Sequence, residues 1–207
     1  MRQVLSSTEA ERWRRQLREV ADCMEATLQA TDTLARQTAN HLKDADVWVF
    51  LGCGPSYATS LFSAAKLVES CGAQAWGQDI EEWGHIQFFN QQEATPTCVI
   101  IPPGRSQDRM LELLPYVHGV GRYTLVVSHD DQGQSPVDAD VILPVPQTVP
   151  EMFSPLVYCL AGEFLAYYLA EARNAEFFQS SRPYGTSGAR LRDSYRVQIH
   201  ELEAPRS

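Results

Sequence analysis

The sequence predicts an α/β protein with three layers, α-β-α, built around a mostly parallel five-stranded sheet and preceded by an N-terminal helical arm. Two observations support this prediction. Apolar runs rich in β-branched and aromatic residues alternate with stretches of helical composition, and the first such run, residues 47–51, ends directly in a glycine-rich turn. Right-handed crossovers place helices on both faces of a parallel sheet and ligands beyond the carboxyl ends of its strands, so we expect the turn at a ligand-binding edge.

The order of the elements follows from spacing and composition. Residues 7–42 contain neither Gly nor Pro and repeat apolar side chains at near-helical intervals, which predicts one or two helices in the arm. The later strands and helices alternate along the chain. We expect strands at 47–51, 73–76, 98–101, 123–127 and 141–144, and helices at 58–71, 81–89, 107–117 and 153–170.

One domain is expected, in three parts. The arm covers residues 1–45, the α/β unit covers residues 46–175, and a polar tail or lid covers residues 176–207. The tail is rich in residues typical of turns. It carries three arginines to which the sequence assigns no role, namely Arg182, Arg190 and Arg192.

Charge and composition exclude several classes of function. The 207 residues carry a formal net charge of -9, whereas nucleic-acid binding needs a basic face that releases counterions, so we expect no nucleic-acid partner. No apolar run has the length of a membrane span and the N-terminus is charged, so we expect neither a membrane partner nor a secretory signal. The five cysteines are scattered, which predicts reduced thiols, a cytoplasmic location and no metal.

The glycine-rich turn is residues 52–56, Gly-Cys-Gly-Pro-Ser. Gly52 and Gly54 allow positive φ and leave room for a ligand oxygen, towards which the following helix points its unpaired N–H groups. Three nearby hydroxyls are candidate donors to that ligand, those of Ser56, Tyr57 and Thr59. A purely steric turn, with Ser56 as a helix cap, explains the same pattern. Neither a P-loop nor a dinucleotide fingerprint is present, which disfavours a nucleotide.

Residues 51–60, Leu-Gly-Cys-Gly-Pro-Ser-Tyr-Ala-Thr-Ser, and residues 64–69, Ala-Ala-Lys-Leu-Val-Glu, resemble the sugar isomerase (SIS) domain family. The resemblance spans about residues 20–170. It is strongest to the second SIS domain of glucosamine-6-phosphate synthase-like isomerases and fructosamine-phosphate deglycases. It implies a flavodoxin-like fold, no cofactor, and a phosphorylated sugar or aminosugar as the ligand.

The resemblance also implies catalytic roles. Residues 66–69 match a family K-L-x-E motif, which makes Glu69 the group that moves a proton between C1 and C2 of the sugar. Sixteen residues later, His85 matches the ring-opening histidine, and Lys66 would contact the substrate or stabilise enediolate charge. Without the resemblance, Lys66 and Glu69 are explained as a solvated helix pair and His85 as an ordinary surface or core histidine.

One family feature is missing from the sequence. After the next strand, single and first SIS domains carry a phosphate-binding S-x-S-G-x-T segment, where this chain has Pro-Pro-Gly-Arg-Ser-Gln at residues 102–107. We expect Arg105 and Ser106 to replace some of the phosphate contacts. Second SIS domains of the synthase type also lack the segment and depend on a first domain for the phosphate, so a second chain is expected to complete the site.

These features together predict an aldose-ketose isomerase, or an aminosugar-phosphate isomerase or deglycase. The expected assembly is a homodimer or a higher homo-oligomer. Three alternatives stay open: a non-catalytic sugar-phosphate-binding or regulatory module, one half of a split enzyme paired with a separate first-type SIS chain, and a scaffold that only dimerises.

Overall fold

The computed structural model describes residues 5–90, 95–129 and 139–175. Within these residues the helices are α1 (Ser7–His41), α2 (Pro55–Cys71), α3 (Ile80–His85), α4 (Gln107–Gly119) and α5 (Ser154–Ala172). The strands are β1 (Val47–Gly52), β2 (Gln74–Asp79), β3 (Pro96–Ile101), β4 (Tyr123–His129) and β5 (Val141–Val145). Short 3-10 turns at Gln87–Phe89 and Glu151–Phe153 follow α3 and precede α5.

The strands form one parallel sheet in the spatial order β2-β1-β3-β4-β5. Its register aligns Gly52 at the end of β1 with Asp79 at the end of β2, so both strands finish at the same edge. After β1 the chain forms β2 on one side of β1 and then β3 on the other side of β1. A crevice therefore opens between the carboxyl ends of β1 and β3. The five parallel strands confirm the predicted fold class.

Alternate residues of the strands pack on opposite layers of helices, as the two-residue period of a strand requires. Trp48 and Phe50 are buried with residues of α1, α2 and α5. Val49 and Leu51 are buried with residues of α3 and α4. The predicted three-layer arrangement is confirmed, with three helices on one face of the sheet and two on the other.

The arm is one uninterrupted helix of 35 residues, where the sequence allowed one or two. Ser6 and Glu9 form a capping box at its start. Its buried side chains begin at Val20 and recur to Ala39, and this part packs on α5 and β5. Residues 7–19 bury no side chain. The first part of α1 therefore extends beyond the core, while the rest belongs to it.

The largest differences from the predicted boundaries are at the start of α2, the end of β2 and the end of α3, and the other boundaries differ by at most two residues. Helix α2 begins at Pro55 instead of residue 58, because proline has the φ of a first helical residue already fixed. Strand β2 continues to Asp79, whose side chain then caps α3 by accepting a hydrogen bond from the Glu81 N–H at 2.9 Å. Helix α3 ends at His85 because Ile86, with φ -120° and ψ -65°, breaks the helical path.

Helix α2 packs against its neighbours at very short range. A Cβ on Gly77 of β2 would lie 2.5 Å from the Leu61 backbone, and a Cβ on Gly162 of α5 would lie 2.2 Å from the Ser63 Oγ. Real Cβ atoms do not approach other heavy atoms so closely. The position of α2 against both the sheet and α5 therefore requires glycine at these two sites.

The segment that contains helix α5 corrects the expectation that no apolar run has the length of a membrane span. Residues 151–172 are long and apolar enough to cross a bilayer, with a mean hydropathy of 1.3. More than half of that segment is buried, and α5 packs on α1 and α2 with Leu165 and Leu169 fully inside. Core helices meet the same criterion, so we interpret α5 as the central helix of its layer.

Replacing Gly162 with alanine tests the contact between α2 and α5. Overpacking a tight interface costs about 1–3 kcal/mol, so Gly162→Ala is expected to lower the free energy of unfolding by that amount, measured by urea denaturation. Gly84→Ala in α3 is the matched control. Its added Cβ meets no atom within 4 Å, and alanine favours a helix over glycine by about 0.5–1 kcal/mol. A Gly162→Ala variant as stable as wild type would contradict the close packing.

Candidate functional site

The candidate site lies where the carboxyl ends of β1 and β3 diverge. Two segments border this crevice, the glycine-rich turn 52–56 after β1 and the loop 102–106 after β3. They approach each other closely, because a Cβ on Gly54 would lie 3.9 Å from the Ser106 Oγ. The strand order confirms the predicted position of the turn at the edge where parallel sheets bind ligands.

Two glycines shape the turn. Gly54 has φ +56° and ψ -128°, a region that other residues rarely adopt. A Cβ on Gly52 would lie 2.1 Å from the Ser56 carbonyl oxygen, so only glycine allows the chain to fold back so tightly. Gly54 is the N-cap of α2, no side chain caps this helix, and its first turn has no acidic residue. The positive end of the α2 dipole therefore lies at the crevice without a charged side chain of its own to neutralise it.

Two backbone N–H groups at the turn form hydrogen bonds within the turn itself. The N–H of Ser56 donates to the Cys53 carbonyl at 3.2 Å, and the N–H of Tyr57 donates to the Gly54 carbonyl at 3.1 Å. Both distances are at the long end of the usual range. A ligand anion at this helix end would therefore compete with two weak internal bonds.

Ser56 holds the turn together from inside. It is fully buried, and its Oγ accepts a hydrogen bond from the Cys53 N–H at 2.9 Å and donates one to the Cys53 carbonyl at 2.8 Å. The hydroxyl also lies 3.8 Å from the Met110 sulfur. Neither role expected from the sequence fits this geometry, because the side chain caps no helical N–H and points into the protein instead of the crevice.

Tyr57 and Thr59 point to different places. Tyr57 is 39% exposed, whereas Thr59 is 2% exposed and its Oγ1 has no hydrogen-bond partner among the described residues. Thr59 lines a groove of about 400 Å³ between α1, α2 and α5, on the helical side of the turn and away from the crevice. The groove is lined by Met24, Ala58, Thr59, Phe62, Pro155, Leu156, Cys159, Leu160 and Glu163.

Cys53 places a free thiol at the crevice. Burial raises the pKa of this thiol, and the nearby carboxylates of Asp79 and Glu81 raise it further. The side chain lies beside Ser106 of the opposite segment. The crevice therefore has an acidic border on the side of β2 and α3.

Arg109 of α4 does not supply a free positive charge to this border. Its guanidinium makes two hydrogen bonds to the Glu81 carboxylate, at 2.5 and 2.9 Å, and contacts the Glu112 carboxylate at 2.9 Å. The hydrogen bond from Arg109 lowers the pKa of Glu81. Two carboxylates thus offset one guanidinium.

The two residues expected to replace phosphate contacts have different surroundings. Arg105 is exposed, and its backbone N–H donates to the Glu151 carboxylate at 3.1 Å. The Ser106 Oγ is buried, and no hydrogen bond joins it to another of the described residues. The segment after β3 therefore already contains a carboxylate from elsewhere in the chain.

Lys66 and Glu69 form a close pair on α2. The Lys66 Nζ lies 2.7 Å from the Glu69 carboxylate, and it also lies 5.0 Å above the Phe62 ring. Glu69 is fourteen residues beyond Pro55, which places it about 20 Å along the helix from the glycine-rich turn, since an α-helix rises about 1.5 Å per residue. The candidate proton shuttle is thus far from the candidate anion site of its own chain.

His85 lies on the other side of the sheet. It is exposed at the end of α3, close to Glu81, and α3 packs in the layer of α4, whereas α2 packs in the layer of α1 and α5. A single chain therefore does not bring His85 and Glu69 together. Sequence spacing alone did not indicate this separation.

Some of the sequence-based expectations concern ligands or residues beyond the site. Arg182, Arg190 and Arg192 lie outside the described residues, as does the rest of the tail 176–207. Within the described part of the chain, no group of three or more His, Cys, Asp or Glu side chains is placed to hold a metal ion. All five cysteines are free.

Known proteins resemble this chain in both sequence and fold. Glutamine–fructose-6-phosphate aminotransferase (isomerizing) of Thermococcus kodakarensis is 30% identical over 158 residues, which cover 76% of this chain and 26% of that protein. The C-terminal domain of glucosamine-fructose-6-phosphate aminotransferase from Francisella tularensis superposes with a TM-score of 0.76 at 20% identity, covering 84% of this chain and 49% of that one. The chain belongs to the SIS domain family.

A second solved structure, from another kind of protein, shares the fold. The sugar isomerase domain of an RpiR transcription factor from Sphaerobacter thermophilus has a TM-score of 0.62 at 17% identity and covers 77% of this chain and 90% of that one. No family model matches the sequence. This SIS chain spans about a quarter of the length of the curated relative and about half of the Francisella domain.

Several residues that shape this SIS site were not predicted from the sequence. Asp79, Arg109 and Glu151 lie at the carboxyl edge of the sheet and outside the segments that carry the resemblance, while Glu81 lies in the segment of His85 without a predicted role. Asp79 could have been found, because it ends a strand at the ligand edge. The contact of Glu151 with Arg105 joins residues 46 positions apart and leaves no local signal in the sequence.

Removing the Ser56 hydroxyl and removing the Thr59 hydroxyl are expected to change the stability of the protein differently, because only the Ser56 hydroxyl forms hydrogen bonds with other described residues. Ser56→Ala is expected to lower the free energy of unfolding by about 1–3 kcal/mol, since it leaves the Cys53 N–H without its partner and removes one of the two hydrogen bonds to the Cys53 carbonyl. Thr59→Val, the control, removes a buried hydroxyl that has no partner and is expected to be neutral or stabilising. Urea denaturation of both variants measures the two effects. Equal loss of stability in the two would contradict the assigned role of Ser56.

Proposed function

We propose that this SIS domain binds a phosphorylated sugar or aminosugar, with the anionic group at the glycine-rich turn. The observation that supports the proposal best is the position of the uncapped N-terminus of α2, beside Gly54 and at the point where β1 and β3 diverge. Such a helix end attracts anions through its dipole and its backbone N–H groups. The names of the two aminotransferases reported above include fructose 6-phosphate, a sugar phosphate, which supports the same ligand class.

We further propose that the bound sugar is converted by proton transfer, as an aldose-ketose isomerase or an aminosugar-phosphate isomerase or deglycase does. Glu69 would move the proton between C1 and C2, His85 would open the sugar ring, and Lys66 would stabilise negative charge on the enediolate. The pairing of Lys66 with Glu69 at 2.7 Å supports a common role for the two side chains. Isomerisation and deglycation need the same three groups, so both reaction types fit.

A complete site would need two chains, because α2 and α3 lie on opposite faces of the sheet. We propose a homodimer in which His85 of one chain approaches Glu69 of the other. An exposed apolar surface on α2 and α5 supports assembly, since Tyr57, Phe62, Leu156 and Tyr167 are between 38% and 48% exposed. Large apolar side chains grouped on two adjacent helices are typical of interaction surfaces. The proposed location is the cytoplasm, where five free thiols persist.

Two alternatives have specific support. A regulatory module that binds a sugar phosphate without converting it is favoured by the likeness to the sugar isomerase domain of a transcription factor. One half of a split enzyme is favoured by residues 102–107, which lack the phosphate-binding segment of a first SIS domain. In the second case, a separate SIS chain would hold the phosphate.

Cys53 provides a probe for ligand binding at the turn. A phosphosugar bound there is expected to slow alkylation of Cys53, because the thiol lies between the two glycines and beside Ser106. Cys71, at the far end of α2, is the internal control and should react at an unchanged rate. Mass spectrometry of the two cysteine peptides, with and without glucosamine 6-phosphate or fructose 6-phosphate, measures both rates. Equal protection of the two cysteines, or of neither, would contradict binding at the turn.

Glu69→Gln separates catalysis from binding. Loss of a positioned general base costs about 10²–10⁴-fold in rate, so the variant is expected to lose turnover by that factor while its melting temperature still rises with the phosphosugar. Glu25→Gln, which neutralises an exposed carboxylate on α1, is the matched control and should keep full activity. Product formation is followed by chromatography of the sugar phosphates. Ligand binding by wild type without any product would favour the regulatory module.

A further inference from the structure

The loop after β3 has lost much of what an anion-binding loop needs. Pro102 and Pro103 have no backbone N–H, so only Gly104, Arg105 and Ser106 can offer main-chain donors in residues 102–106. The Arg105 N–H, in the middle of these three, donates to the Glu151 Oε1 at 3.1 Å. A carboxylate of the same chain therefore occupies the position that an incoming anion would use.

Close packing holds the Glu151 carboxylate in place. A Cβ on Gly104 would lie 2.4 Å from the Glu151 Cδ and 2.5 Å from its Oε1, so the carboxylate lies against the bare backbone of the loop. Glu151 itself begins the 3-10 turn before α5, which is closed by a hydrogen bond from the Phe153 N–H to the Pro150 carbonyl at 2.8 Å. The contact thus joins two ordered segments of the carboxyl edge.

We propose that Glu151 is a built-in anion that excludes phosphate from the loop after β3. A second anion at this loop would have to displace a carboxylate from its N–H donor or accept like-charge contact with it, and like charges in contact are strongly unfavourable. The proposal rests on the proposed function, because it states where the phosphate of the sugar is not bound. That phosphate is held at the turn 52–56 or by a second chain.

The charges around the loop agree with this assignment. Arg109 of the following helix is already paired with two carboxylates, and Arg105 is the one exposed cation within residues 102–106. Removing Glu151 would leave the Arg105 N–H without its carboxylate partner, while Asp108 stays in the first turn of α4. Wild type therefore excludes phosphate from this loop because of the negative charge of Glu151, and not only because the loop has few N–H donors.

Inorganic phosphate is the probe, and the backbone amide of Arg105 reports its binding. Wild type, Glu151→Ala and Glu151→Gln are labelled with ¹⁵N-arginine and titrated with phosphate into the millimolar range at constant ionic strength. We expect no saturable shift of the Arg105 resonance in wild type. Glu151→Ala should bind phosphate at least about tenfold more tightly, because the like charge is gone and the N–H is free. Glu151→Gln should gain less, since its amide oxygen still accepts from the same N–H.

Two controls make the result decisive. Glu82→Ala removes an exposed carboxylate from α3 and should behave like wild type, which separates the local contact from a general change in net charge. Melting temperatures identify any variant that fails to fold, and Glu151→Gln, which keeps the hydrogen bond, serves if Glu151→Ala is unfolded. Phosphate binding at Arg105 that is as tight in wild type as in both Glu151 variants would overturn the proposal. An increase in phosphate affinity in Glu82→Ala as large as that in Glu151→Ala would overturn it as well.

Failure of this proposal is distinguishable from failure of the proposed function. Protection of Cys53 by a phosphosugar in wild type, together with unchanged phosphate binding in the Glu151 variants, would keep the ligand class and reject the role of Glu151. A gain of phosphate binding in Glu151→Ala without protection of Cys53 in wild type would keep the role of Glu151 and reject the turn as the ligand site.

Discussion

Helix α2 is held against the rest of the molecule at three points where only glycine fits. Gly52 lets its first turn fold back on β1, Gly77 lets β2 lie under Leu61, and Gly162 lets α5 lie against Ser63. Close packing of this kind, against backbone at Gly52 and Gly77 and against the Ser63 side chain at Gly162, leaves little freedom to shift the helix, because protein interiors respond to small displacements with strain. The position of α2 then fixes the glycine-rich turn at one end, the Lys66–Glu69 pair at the other and the exposed face between them.

The same arrangement divides the proposed chemistry between two regions. The helix places its N-terminus at the crevice and Glu69 about 20 Å away, while the sheet separates Glu69 from His85. Proton transfer to a carbon and ring opening must occur within one sugar, which is far smaller than this separation. In the proposed homodimer the site would depend on how α2 of one chain meets the other chain, and Phe62 of α2 and Leu156 of α5 are exposed apolar side chains on these adjacent helices. The fold of the single chain supplies parts of a site, and assembly decides whether they meet.

Most of the fold could be predicted from the sequence, whereas less of the site could. Buried parallel strands are continuous apolar runs, which made β1, β3 and β4 recognisable, whereas the edge strand β2 is polar and partly exposed and ends three residues later than predicted. The directions of Ser56 and Thr59 could not be predicted, because the face that a helical residue presents depends on where α5 docks. The contact between Glu151 and Arg105 is set by tertiary structure alone. Family spacing indicated Glu69 and His85 as a pair but carried no information about the layer in which each lies.

An acidic chain that binds an anion must do so through short-range donors. The net charge is -9, and Arg109 at the crevice is offset by two carboxylates, which leaves Arg105 of the loop after β3 as an exposed cation there. Exposed charges more than about 10 Å away are screened by salt, so the dipole of α2, the backbone of the turn and Arg105 are the groups that act at the crevice. Such donors act on an anionic group that is in direct contact with them. They also provide no long-range steering, so the ligand must be held by contact geometry, and that geometry is the one that the close packing of α2 maintains.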